Sequence, residues 1–197
     1  MAIEAPSRRR AIEDAASALF HERGYAATSV RDIAAALDIR GASLYAHVTS
    51  KEDVLFTLVD RAASAFEAAA AAAVDATRGR DAATRLSALV RAHIGVIASD
   101  PELASVFVSE WRHLGGERRA AILARRDAYE RLFRDVIVDG MASGELASTD
   151  PALAATFVLT ALNGLAGWYR GDGRLSRDRI ADHYADLAVR SLTEAYR

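Results

Sequence analysis

Glu110 and His113 stand three residues apart, a spacing that sets a carboxylate and an imidazole on one helix face, as a di-iron bundle requires twice over. No second Glu-x-x-His pair occurs in the 197 residues, so this one reads as a charged turn before Gly115 and Gly116. Other catalytic constellations are missing as well. The sequence has no Gly-x-Ser-x-Gly elbow, no His-Glu-x-x-His zinc helix, no Gly-x-x-x-x-Gly-Lys phosphate loop and no dinucleotide fingerprint, and no two of its five His lie at i, i+4. The absence of Cys excludes disulfides, thiol catalysis and Cys-ligated metals. An enzyme is not expected, nor a cofactor or metal.

The residues suited to binding chemistry lie near the N-terminus. Arg40-Gly41-Ala42-Ser43 opens a short helix with few bulky side chains on its leading edge, so that end can approach base edges in a DNA major groove. Thr28 and Ser29 put hydroxyls and backbone N–H groups at a helix start, an arrangement that suits phosphate. Arg8, Arg9 and Arg10 are expected to form an arm on the DNA backbone or in the minor groove. The net charge of -2 argues against a protein that coats polyanions in bulk. A slight basic excess falls in the first 51 residues and a slight acidic one in the rest; the basic side chains are all Arg except Lys51. Affinity for DNA would rest on a few positioned contacts.

The elements that must hold these residues are helical, because Ala is abundant and alternating β-branched runs are absent. Nine helices are predicted: Ser7–Arg23, closed by Gly24; a two-turn helix from Thr28-Ser29, with Asp32 in its first turn; Gly41–Val48; Lys51–Thr77, capped by Ser50 and Asp53; then 81–98, 101–113, 116–139, 151–170 and 177–196. Asp100-Pro101 and Asp150-Pro151 read as N-cap followed by N1 proline. Gly79, Gly115, Gly116, Gly140, Gly144, Gly171 and Gly173 read as punctuation. The fold class is all-α, with a three-helix helix-turn-helix domain over 1–50 and a six-helix domain over 51–197.

Phe20, Gly24-Tyr25, Thr28-Ser29-Val30, Asp32-Ile33-Ala34, Ser43-Leu44-Tyr45, His47 and Ser50-Lys51-Glu52 together resemble the N-terminal domain of the TetR family of bacterial transcriptional regulators. The resemblance implies a homodimeric repressor on double-stranded operator DNA, with Tyr45, His47 and Lys51 as phosphate contacts. With Arg10, Arg31, Thr28, Ser29, Arg40, Gly41, Ala42 and Ser43 these form the expected DNA-binding set. Asp38 stands where the family usually has Gly, and Arg40 where a small capping residue is common, so the turn relies on the tolerance of Asp for left-handed backbone and Arg40 is expected to read guanine.

In the second domain, Glu110-Trp111-Arg112, Tyr129-Glu130 to Phe133-Arg134, Gly144-Glu145 and Ala161-Leu162-Asn163-Gly164 through Trp168 resemble the branch that represses steroid and fatty-acid catabolism. That implies a small hydrophobic effector, an acyl-CoA or lipid-like molecule. The expected ligand set is His93, Phe107, Glu110, Trp111, Tyr129, Phe133, Asn163 and Trp168, each of which also has an ordinary packing role open to it. Pro151–Tyr169 is 19 residues without a charge, but rich in small residues. It reads as a buried helix with the stripe Leu153, Phe157, Ala161, Gly164 and Trp168, not as a membrane span. Beside a last helix with the stripe Ile180, Tyr184, Leu187 and Ser191, it would form the dimer interface. No apolar leader is visible in Met1–Arg10, so a cytoplasmic, nucleoid-associated protein is expected. A second reading is an all-helical small-molecule-binding protein or enzyme with a vestigial head.

Overall fold

A computed structural model describes residues 8–193. Among these lie nine α-helices and no strand: α1 (Arg8–Arg23), α2 (Val30–Ala36), α3 (Gly41–Tyr45), α4 (Lys51–Ala76), α5 (Ala82–Ser99), α6 (Pro101–Ser109), α7 (Gly116–Ser143), α8 (Pro151–Gly164) and α9 (Arg177–Thr193). The predicted start at Ser7 and end at 196 fall outside the described residues. Two predicted helices are cut short by single 3-10 turns, Trp111–His113 after α6 and Leu165–Gly167 after α8. The third helix stops at Tyr45, three residues before its predicted end.

The caps explain most boundaries. Asp81 accepts the Thr84 N–H at 2.8 Å to open α5, and Asp150 accepts those of Ala152 and Leu153 at 2.8 and 3.0 Å to open α8, with Pro151 in the first turn. Glu145 adds a cap from a distance, its carboxylate accepting the Ala82 N–H at 2.6 Å. Gly140 is not punctuation. It lies inside α7, where a Cβ would stand 2.6 Å from Leu146 Cδ1 and 2.7 Å from Ala82 Cβ, so its missing side chain makes room for the segment that follows the helix.

The chain divides into two compact units. The first joins the chain up to Ala62 with Glu102–Ile122, and so holds α1–α3, the start of α4, α6 and the first turns of α7. Ile12, Phe20, Ile33, Leu44, Leu55 and Leu58 are fully buried in it. Ile12, Ala16, Leu19 and Phe20 are the inward stripe of α1 as predicted, while Ala15 beside them is only half-buried.

The second unit comprises Ala63–Pro101 and the chain from Leu123 onward. Here α5 packs along α9 and touches α8, around Leu86, Leu89, Ile94, Ile97 and Phe133. Ile180 is buried and Tyr184 half-buried, whereas Leu187 and Ser191 face out; the inward face is Ile180, Ala181, Ala185, Ala188 and Leu192. The predicted α8 stripe is exposed in the single chain, with Leu153 at 69%, Phe157 at 59% and Trp168 at 52%, and Ala161 and Gly164 exposed between them. No described helix is long and apolar enough to cross a membrane.

Candidate nucleic-acid interface and effector site

The head is built on two corners. At the first, Gly24 takes φ +82° and its N–H closes α1 on the Phe20 carbonyl at 3.0 Å. Ser29 then caps α2 in a capping box: its hydroxyl accepts the Asp32 N–H at 3.2 Å, and Asp32 Oδ2 accepts the Ser29 N–H at 2.7 Å. These bonds from the Ser29 side chain and backbone hold the Asp32 carboxyl below the usual carboxylate range. The same carboxylate occupies the helix start that was expected to receive phosphate.

At the second corner α2 ends in a complete Schellman motif, with Ile39 N–H on the Ala34 carbonyl at 3.0 Å and Asp38 N–H on that of Ala35 at 3.1 Å. Asp38 supplies the left-handed residue at φ +52°, and is the one non-glycine at positive φ among the described residues. Arg40 follows as the extended N-cap of α3 without using its side chain as a cap.

These corners sort the expected DNA-binding residues. Arg31, Arg40, Ala42, Ser43, Tyr45 and His47 are exposed, and Gly41 half-buried, on the two short helices and just beyond them. Tyr45 is 57% exposed. Neither Arg31 nor Arg40 pairs with a carboxylate among the described residues, so both guanidiniums are available to an outside anion. Only Leu44 of α3 is buried, as befits a helix that presents the rest of its surface.

Two expectations need correction, those for Thr28 and the Arg8–Arg10 arm, and that for Lys51 is narrowed. Thr28 is 1% exposed and its hydroxyl donates to the Gly24 carbonyl at 2.9 Å and the Leu19 carbonyl at 3.3 Å, so it fastens the first corner and cannot face phosphate. Lys51 is half-buried; its Nζ donates to the Tyr25 and Thr28 carbonyls at 2.8 Å each and lies 4.0 Å over the Tyr25 ring. At most one of its three protons is left for phosphate. Arg8–Arg10 form the first turn of α1 and not an arm: Arg9 bonds Glu13 at 3.1 Å, and Arg10 pairs with Asp14 at 3.0 Å.

The expected ligand residues fall into two groups. His93, Tyr129 and Phe133 come together in the second unit, joined by Phe66 of α4. The His93 and Phe66 ring centroids are 4.6 Å apart, and those of Tyr129 and Phe133 5.6 Å. Phe66 was missed, although it is the aromatic that breaks the alanine-rich stretch of α4. His93 is 2% exposed, with Nδ1 3.1 Å from the Tyr129 hydroxyl. Burial, aided by the nearby Arg126 charge, lowers its pKa to about 3, and burial raises that of Tyr129. Both are therefore neutral at physiological pH. His93 Nε2 has no hydrogen-bond partner among the described residues, which leaves one polar atom within an aromatic cluster.

Phe107, Glu110 and Trp111 lie in the first unit instead. Glu110 Oε2 accepts the Tyr25 N–H at 3.2 Å and lies 3.4 Å from His113 Nε2, so the pair that resembled half a metal site closes on the head. Asn163 is half-buried on α8, and Trp168 stands exposed beyond the 3-10 turn. Among the described residues no group of three His, Asp or Glu is placed to hold a metal.

A supporting helix, a two-turn helix, a left-handed corner and a one-turn helix with an exposed polar face define a helix-turn-helix domain, and the chain is a DNA-binding transcriptional regulator. Residues 12–58 match the description "Bacterial regulatory proteins, tetR family", and residues 79–192 match "Tetracyclin repressor-like, C-terminal domain". The chain belongs to the TetR family. It is 29% identical over 195 residues to the HTH-type transcriptional repressor KstR2 of Rhodococcus jostii, covering 96% of this chain and 93% of that protein. The solved structure of the ketosteroid transcriptional regulator KstR2 of Mycobacterium tuberculosis is similar at a TM-score of 0.88 and 27% identity, over 98% of each chain. AibR, in complex with isovaleryl coenzyme A and operator DNA, is similar at a TM-score of 0.81 and 30% identity, over 91% of this chain and 97% of that one. Family and relatives are regulators, not enzymes.

Proposed function

We propose that the chain is a homodimeric repressor in the cytoplasm, bound to a palindromic operator and released by a small acyl effector. The observation that carries the reading is the row of Leu153, Phe157, Ala161, Gly164 and Trp168 left exposed along one face of α8 and its 3-10 extension, next in the chain to an α9 that turns out Leu187 at 63% exposure. A soluble chain rarely leaves so continuous an apolar row bare, and a two-fold mate presenting the same row covers both. Two heads in one dimer would place two copies of α3 about one helical turn of DNA apart, which multiplies the few base and phosphate contacts each head offers.

The contacts proposed are Arg40, Gly41, Ala42 and Ser43 toward base edges, with Arg31, Tyr45, His47, Arg10 and the remaining proton of Lys51 toward phosphates. The effector reading draws on the cluster of Phe66, His93, Tyr129 and Phe133, whose single unpaired polar atom suits an apolar ligand with one hydrogen-bonding group, and on the isovaleryl coenzyme A held by AibR. Asn163 and Trp168 would line the dimer side.

The test is fluorescence anisotropy on DNA flanking the gene, combined with sedimentation of the free protein. Sequence-specific binding by a dimer, weakened by an acyl-CoA, is expected. A monomer at micromolar concentration, or the absence of any sequence-specific binding, refutes the proposal.

A further inference from the structure

We infer that Glu110 is a positioning residue for the head: from the corner between α6 and α7 it grips the α1–α2 turn, and operator affinity answers to that corner through it. Tyr25 is held at both its backbone groups. Its N–H donates to Glu110 Oε2 at 3.2 Å, and its carbonyl accepts from Lys51 Nζ at 2.8 Å. The Glu110 side chain is 16% exposed. His113 completes the grip, with Nε2 3.4 Å from the same carboxylate oxygen and its ring stacked on Tyr25 at 5.1 Å between centroids.

The corner is tied to α4 twice more. Gly115 N–H donates to Glu52 Oε1 at 3.0 Å, and the Arg118 guanidinium donates to Asp53 Oδ1 at 3.1 Å while lying 5.2 Å over the Phe56 ring. Exposed ion pairs contribute little singly. The Glu110 bond differs, because its loss strands a backbone N–H in the turn that sets the cap of α2.

The link to regulation is the continuity of α7 from Gly116 to Ser143. One helix carries Arg118 in the corner and, about three turns on, Tyr129 and Phe133 of the aromatic cluster. A ligand that displaces α7 displaces the corner, and Glu110 passes that displacement to Tyr25. This step rests on the effector-release reading proposed above.

The experiment uses the full-length protein, an operator fragment, and isovaleryl-CoA and palmitoyl-CoA as probes. Wild type is expected to lose operator affinity about tenfold or more with an active probe. Glu110→Ala binds the operator more weakly than wild type without probe, because the α1–α2 turn is no longer held, and shows less than about a threefold probe response. Glu110→Gln, whose amide oxygen still accepts from Tyr25, keeps most of the response. Arg118→Gln, at the other end of the corner, gives a reduced response and serves if Glu110→Ala does not fold. Equal responses in wild type and Glu110→Ala overturn the inference.

If wild type ignores both probes, the effector reading fails on its own, and reciprocity still tests the inference. Operator binding must then slow amide exchange at Gly115 in wild type and not in Glu110→Ala. Equal protection in the two overturns it.

Discussion

Replacing Lys51 by Met separates two roles for the only lysine. As a pure phosphate contact, Lys51 would leave the free protein unchanged on removal and lower the slope of log affinity against log salt by about one per head. The structure instead places its Nζ 2.8 Å from two carbonyls and 4.0 Å over an aromatic ring. A hydrogen bond from a charged donor contributes about 1.5–3 kcal/mol, and a cation over a ring about 0.5–1. Half-burial places this site toward the lower ends of those ranges, so Lys51→Met should cost about 2–4 kcal/mol in the absence of DNA. For a chain of this size that is a fall in Tm of about 5–10 °C. The assay is thermal unfolding of the free protein at fixed concentration, beside operator titrations at several salt concentrations. An unchanged Tm with a reduced salt slope would refute the structural role.

Four further outcomes follow from particular sites. Gly140→Ala should lower stability by about 1–2 kcal/mol, because crowding against Leu146 and Ala82 outweighs the gain in helix propensity; chemical denaturation measures it. Asp38→Val should lose about 1–2 kcal/mol, since a β-branched residue resists φ +52°, while Asp38→Gly should not destabilise. His93 is neutral when folded, with its pKa near 3, but titrates near 6.5 when unfolded. The unfolded state therefore takes up the proton first as pH falls. Stability is fully present above about pH 6.5 and declines by about 1.4 kcal/mol per pH unit below it. His93→Leu should flatten that dependence between pH 6.5 and 5, and an unaltered slope would refute it. Phe157→Asp should shift the protein toward monomer in sedimentation and weaken operator binding by about tenfold or more, without disturbing helicity.

Local signals read well from sequence. The Ser29–Asp32 capping box, the Asp81 and Asp150 caps, the Gly24 corner and the tolerance of Asp38 for left-handed backbone each depend on residues within a few positions of one another. Contacts between remote partners do not read so well. The bond from Tyr25 to Glu110 is not legible, because nothing near Glu110 announces a partner 85 residues away. Gly140 looked like a helix end because its neighbours Leu146 and Ala82 meet it only in the folded chain. Thr28 carries the hydroxyl of a cap, but it is Ser29 that sits at the N-cap, and Thr28 is left to turn inward. Arg9 and Arg10 find acidic partners one helical turn on, at Glu13 and Asp14, which holds them on α1.

The bare row on α8 has a consequence for how such a regulator counts its own copies. On the dimeric reading proposed above, a chain that would cover Leu153, Phe157 and Trp168 only against a second chain is complete only in pairs. At concentrations below the point of pairing, the population of complete molecules rises with the square of the number of chains made. Operator occupancy then has a threshold in protein abundance before any effector is present. On that reading a twofold drop in synthesis would empty the operator about fourfold, a route to derepression that needs no ligand.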